Sequence, residues 1–205
     1  MIPGTVGALE ALLEWDPAAI PPLVTVVCHP HPVYGGTMHN KVVFHAAKAA
    51  VALGLPVLRF NFRGVGKSEG TFADGVGERN DARAALEFLA TRFPATPVGM
   101  MGFSFGAWVG LAAGAPDPRV IALVGLGLPV ASENFDSLRA VQKPKLIVQG
   151  TRDIYGPREQ VKELFNSLRK PKQLYWLEGV DHFFTGRLDE VQSAIHEFLL
   201  PIIGG

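Results

Sequence analysis

The stretch that most constrains this chain is Gly102-Phe103-Ser104-Phe105-Gly106. A short apolar run, Val98-Gly99-Met100-Met101, leads into it, and a run of small residues from Ala107 to Gly114 follows. The pattern reads as strand, sharp turn and helix, with a serine at the apex and a glycine two places to either side. Such a turn holds its apical residue in a strained backbone conformation. It also brings the entering and leaving chains too close together for side chains at the flanking positions. Five common letters specify little by themselves. A base, an acid and backbone donors have to stand in the right places elsewhere in the chain.

The glycines beyond the serine admit two readings. Val98 to Pro116 carries no charge, and Gly102, Gly106, Gly110 and Gly114 recur every fourth residue, the spacing of packed membrane helices. Against a membrane span, Gly99 to Gly102 belongs to a strand-like run. The preferred reading puts Gly106, Gly110 and Gly114 on one face of a buried helix that lies close against a sheet.

The rest of the chain alternates strands and helices. Strands are expected over Thr5–Trp15, Leu23–Cys28, Pro56–Phe62, Val120–Leu128, Lys145–Val148 and Gln173–Leu177, besides the one entering the serine turn. Helices are expected from about Asn40 to Leu53 and Asn80 to Phe93, and around Val161–Leu168 and Leu188–Phe198. A glycine-rich loop spans Gly64–Gly77. The middle strands are apolar on both faces, which predicts an α/β fold with a mostly parallel sheet covered on both sides. Its 205 residues suit a single domain over 1–205, and only Pro129–Gln142 is long enough to form a cap.

Formal net charge is zero with no basic block, so nucleic acid is not an expected partner. The N-terminus lacks the basic start and apolar core of a secretory signal, and the single cysteine, Cys28, reads as a buried strand residue. A cytoplasmic setting is therefore expected, with no membrane partner.

A serine hydroxyl is too weak an acid to attack unaided. Two strand ends supply what it needs. Gly150-Thr151-Arg152-Asp153 follows one, and Glu178-Gly179-Val180-Asp181-His182 follows the next, on the edge where Ser104 emerges. His182 would take the serine proton, and Asp153 would fix the imidazole tautomer. Glu178 and Asp181 are rival acids close to His182 in sequence, and Asp136 is a third in the stretch that could cap. Of the other histidines, His45 and His196 read as solvated, whereas His29, His31 and His39 lie near the site.

An oxyanion needs two backbone N–H groups. Phe105, directly after the serine, is one. The other is expected from the loop His29-Pro30-His31-Pro32-Val33-Tyr34, where the prolines donate nothing. His31 is the choice, with Val33 and Tyr34 behind it. Tyr34, Met38 and Phe183 are candidate pocket walls, as is Phe105, while Phe103 and Phe184 read as core. Gly66-Lys67-Ser68 resembles the end of a phosphate loop, but Asn61 stands where its first glycine belongs, so no nucleotide is implied. His29 and His31 point the same way on an extended segment and admit a zinc reading that Asp181 or His182 could complete, although no further spaced ligand cluster supports it.

These residues resemble the α/β-hydrolase superfamily over nearly the whole chain. Its nucleophile elbow has the G-x-S-x-G pattern, and its triad runs in the order serine, acid, histidine. His29-Pro30-His31-Pro32, Gly35 to Lys41 and Arg59 to Ser68 look like a compact prokaryotic group of hydrolases similar to dienelactone hydrolases and small carboxylesterases. The resemblance implies about eight strands in a mixed sheet and little or no lid. It carries the triad onto Ser104, Asp153 and His182. Dienelactone hydrolases have a cysteine where this chain has Ser104, so their substrate is not carried over, and Pro30 replaces the glycine of the commoner oxyanion motif.

The expected function is a cofactor-free serine hydrolase. It would cleave a small or short-chain carboxylic ester or thioester through an acyl-enzyme on Ser104. Two alternatives stand beside it: a non-catalytic ligand-binding protein on this fold, and a metal-dependent hydrolase using His29 and His31.

Overall fold

The computed structural model describes residues 1–18 and 20–204. At the N-terminus β1 (Ile2–Pro3) and β2 (Ala8–Leu9) form a small antiparallel ribbon. The main sheet is built from β3 (Ala11–Glu14), β4 (Val24–Cys28), β5 (Val57–Phe60), β6 (Val98–Phe103), β7 (Val120–Leu126), β8 (Lys145–Gly150) and β9 (Lys172–Leu177). Their order is β3-β5-β4-β6-β7-β8-β9. Only β3 runs antiparallel to its neighbour; all other pairs are parallel.

Seven strands therefore form the sheet where about eight were expected, and the expected Thr5–Trp15 strand is broken. The Gly4 N–H donates to Gly7 O at 2.9 Å, and Gly7 takes a φ of +136° that only glycine adopts easily. Residues Ala8 and Glu10 are then tied to the loop after β5, with Glu69 N donating to Ala8 O and Asn61 N to Glu10 O. The chain joins the sheet only at Ala11.

Helices cover both faces. The α1 (Lys41–Val51) and α5 (Leu188–Ile203) helices pack on one side, where Val27, Met101, Phe103 and Val124 face Val43, Ala47, Ile195 and Phe198. On the other side lie α2 (Val76–Arg92), α3 (Phe105–Gly114) and α4 (Arg158–Ser167), over Val24, Val26, Met100 and Leu123. Successive residues of β4 and β6 enter opposite cores, which is why the middle strands carry no polar face.

The α2 helix starts at Val76, ahead of the expected Asn80. Glu78 explains the shift: its carboxylate accepts from the Ala73 and Gly75 N–H groups at 2.9 and 2.8 Å, closing the helix start earlier. The buried Arg63–Asp81 pair, at 2.7 Å, ties the loop after β5 to the same helix.

Residues 129–142, the stretch expected to be long enough for a cap, start beside the sheet edge and turn back into the core. They form turns and a short 3-10 helix, Asp136–Leu138, and bury Phe135 and Leu138 in the core beneath α3. Among the described residues, no helix is long and apolar enough to cross a membrane. The charge-free stretch from Val98 is β6 followed by α3.

Candidate active site

Ser104 sits between β6 and α3 with φ +54° and ψ −122°, a conformation that costs a non-glycine residue about 1–3 kcal/mol. The surroundings hold it there. Ser104 N donates to Leu126 O at 2.9 Å, and its own carbonyl accepts from Ala107 N at 2.9 Å and Trp108 N at 3.1 Å. A β-carbon on Gly102 would collide with Gly106, and one on Gly106 would collide with the Cys28 and His29 carbonyls. At Gly110 it would stand 2.9 Å from Cys28 Sγ, and at Gly114 3.1 Å from Met100 Cβ. The four-residue glycine spacing thus seats α3 directly on β4 and β6.

Four more strand ends contribute to the same edge. Beyond β8 lies Asp153, and beyond β9 lies His182, both buried. His182 Nδ1 is 2.7 Å from Asp153 Oδ2, and His182 Nε2 is 2.9 Å from Ser104 Oγ. The Asp153 carboxyl is surrounded by donors. Oδ2 also accepts from Gln149 Nε2 at 2.7 Å, and Oδ1 accepts from the Tyr155 and Gly156 N–H groups at 2.8 and 3.2 Å. A carboxylate so placed only accepts, so the imidazole proton belongs on Nδ1 and Nε2 is left to accept from the serine hydroxyl.

The rival acids are engaged elsewhere. Glu178 pairs with Arg158, Asp136 with Arg139, and Asp181 accepts from Phe183 N and Thr185 N within its own turn. Gln149, in β8, belongs to none of the sequence motifs. It is fully buried, and its Oε1 accepts from Leu128 N at 2.8 Å while its Nε2 holds Asp153. The signal available was a lone polar side chain near the end of an apolar strand.

The loop after β4 forms the facing wall. Val33 N donates to His31 Nδ1 and Tyr34 N to His31 O, each at 3.2 Å, which occupies both reserve oxyanion donors. Among the described residues, the N–H groups of His31 and Phe105 have no hydrogen-bond acceptor. The two residues touch, with ring centroids 4.8 Å apart, and both border the pocket at Ser104.

His29 is structural. Its Nδ1–H donates to Pro30 O at 2.6 Å, and its Nε2 accepts from Phe62 N at 3.0 Å, so neither nitrogen is left for a metal. Burial pushes its pKa down to about 4. The zinc reading fails on this donor set, and among the described residues no group of three or more metal-ligating side chains forms. His45 also departs from its reading as solvated: its side chain is only 20% exposed, with Nδ1 3.8 Å from Asp189.

A pocket of about 540 Å³ opens beside Ser104, Phe105 and His182. Tyr34 and Phe183 line it, joined by Tyr155 and by Pro129, Ser132 and Glu133 of the turn after β7. Met38 does not line it. Its backbone N–H donates to Asn61 Oδ1 and its carbonyl accepts from Arg59, which turn the residue inward until it is 4% exposed. The false phosphate loop is likewise spent internally, since Ser68 Oγ donates to Asn61 O and accepts from Glu10 N.

Known proteins share this architecture. An α/β serine hydrolase homologue from Coxiella burnetii is 42% identical, with a TM-score of 0.90 over 97% of this chain and 95% of its own. A lidless α/β serine hydrolase from Xanthomonas campestris is 34% identical, with a TM-score of 0.90 over 100% of this chain and 94% of its own. An uncharacterised protein of Rickettsia prowazekii is 38% identical over 87% of this chain and 79% of its own. Residues 26–197 match the family described as the alpha/beta hydrolase domain. With that match, and with a doubly covered parallel sheet presenting a serine at its central strand, the chain belongs to the α/β-hydrolase family.

Proposed function

We propose that this protein is a serine hydrolase that cleaves small carboxylic esters or thioesters through an acyl-enzyme on Ser104. The observation that carries the reading is the unbroken hydrogen-bonded relay from Asp153 through His182 to Ser104, which ends in an open pocket.

As Ser104 Oγ bonds to the substrate carbonyl carbon, its proton passes to His182 Nε2. The carbonyl electron pair moves onto oxygen, where the Phe105 and His31 N–H groups receive the developing charge. Collapse of that intermediate expels the alcohol or thiol, which takes the proton from His182. A water molecule then attacks the acyl-enzyme by the same route and frees Ser104. Asp153 holds the imidazole tautomer and balances its charge while it is protonated. The chemistry calls for no group beyond these side chains and amides. A pocket of about 540 Å³ without a lid favours small or short-chain acyl groups.

A fluorophosphonate probe tests the nucleophile. The wild type should label and lose activity on nitrophenyl esters, and Ser104→Ala should neither label nor turn over. Labelling retained in Ser104→Ala would refute the assignment. A folded wild type that neither labels nor hydrolyses any ester in a panel would return the protein to a ligand-binding role.

A further inference from the structure

The pocket beside Ser104 holds a charge that ester cleavage does not use. Glu133 stands in its wall, half-buried, on the turn where Glu133 N and Ser132 N both donate to Pro129 O at 3.0 and 3.2 Å. Among the described residues, no lysine or arginine lines the pocket. Among the same residues, no cation forms an ion pair with Glu133. Arg79 of α2 acts on the carboxylate from farther away, but its guanidinium lies over the Trp108 ring, 4.8 Å from the centroid. Burial holds the Glu133 carboxyl above the usual range, against the opposing pull of a hydrogen bond from the Ser132 side chain and of the Arg79 charge.

Aromatic rings supply much of the remaining wall, beside backbone of the Gly35–Gly36 turn and the prolines Pro30 and Pro129. Tyr34, Phe105, Tyr155 and Phe183 border the same space, and Tyr34, Tyr155 and Phe183 are exposed at its rim. Near the facing wall, Asp74 and Glu78 add negative potential at His31. One carboxylate beside aromatic faces, with no lysine or arginine among the lining residues, is the surrounding that an ammonium group seeks. An anionic substrate would meet repulsion from Glu133 there, with no lysine or arginine in the wall to offset it.

We propose that this pocket selects esters carrying a cationic ammonium group, with Glu133 as counter-charge and the rings of Tyr34, Tyr155 and Phe183 as walls. The proposal rests on Ser104 being the nucleophile, and it names the substrate class for that site.

Two matched substrate pairs test it. One is butyrylcholine and its carbon isostere, in which carbon replaces the quaternary nitrogen. The other is the nitrophenyl ester of trimethylammonio-butanoate and its carbon isostere, which moves the charge to the acyl side. In at least one pair the wild type should favour the cation by about tenfold in kcat/KM, the effect of one well-placed charge. Glu133→Gln should bring that ratio towards one, and Glu133→Lys should invert it. Butyrylcholine titrated calorimetrically into Ser104→Ala should bind more tightly than into the Ser104→Ala/Glu133→Gln double variant. Equal rates within both pairs, or a preference that survives both Glu133 substitutions, would overturn the proposal. If the neutral isosteres are hydrolysed without any charge preference, the proposal fails while the hydrolase reading stands. If no ester is turned over and Ser104 stays unlabelled, the hydrolase reading fails and the titration alone decides the charge preference.

Discussion

Asp153 is held by four donors, and Gln149 is the one that also accepts from Leu128 N in the turn after β7. The Gln149 amide spans the gap between Leu128 N and the carboxylate, so it fixes where Asp153 can stand relative to the turn after β7. Replacing it with leucine removes a hydrogen bond to a charged group, worth about 1.5–3 kcal/mol. Gln149→Leu should therefore lower kcat on a neutral nitrophenyl ester by roughly 10- to 100-fold, with KM nearly unchanged. Steady-state kinetics check this, and a kcat within twofold of wild type would sink it. Ser104, Asp153 and His182 were legible in the sequence because each follows a strand end and their order fits one chemistry. Gln149 was not, because its role depends on the register between β7 and β8, which no local pattern encodes. Met38 misled for a related reason. It stands among loop residues near the site, but Asn61 and Arg59, both more than twenty positions away, decide which way it faces.

The α3 helix carries a conflict between intrinsic preference and packing. Glycine inside a helix costs about 1 kcal/mol relative to alanine, and α3 accepts that cost at three positions on one face. Contact decides what each position tolerates. A methyl on Gly106 meets backbone carbonyls that cannot move, on Gly110 it meets the Cys28 side chain, and on Gly114 the flexible Met100 side chain. Gly106→Ala should cost about 1–3 kcal/mol or more, Gly110→Ala less, and Gly114→Ala should be close to neutral as propensity offsets crowding. Urea denaturation of the three variants gives the ranking, and equal stabilities would contradict it. This element was legible in sequence because the four-residue spacing has one physical use beside a strand. The start of α2 was less so, since it depends on Glu78 reaching back to the Gly75 amide, and the break before β3 depends on a glycine turn and distant loop partners.

At the scale of the whole molecule, His29 joins the end of β4 to the chain leaving β5 and links stability to pH. Its folded pKa of about 4 lies below its ordinary value of about 6.5, because burial disfavours the charged ring. The unfolded chain therefore binds the proton first. Stability from this group is full above about pH 6.5, declines as pH falls towards about 4, and is lost below it. The loss amounts to roughly 3 kcal/mol for a shift of this size. Denaturation midpoints measured between neutral pH and pH 4 should fall more steeply for wild type than for His29→Gln; parallel slopes would contradict this account. The parallel order of the sheet was legible from strands apolar on both faces, and the shared edge of the site follows from that order. The pocket was not, because Glu133 and Tyr155 reach it from loops whose course depends on how residues 129–142 pack beneath α3. In the proposed mechanism an acyl group passes through Ser104. Acid-quenching the protein during turnover of a nitrophenyl ester and mapping its peptides by mass spectrometry tests this directly. One acyl adduct is expected, on the peptide that contains Ser104, and none in Ser104→Ala. Ester turnover by Ser104→Ala at the wild-type rate, or an adduct confined to another residue, would contradict it.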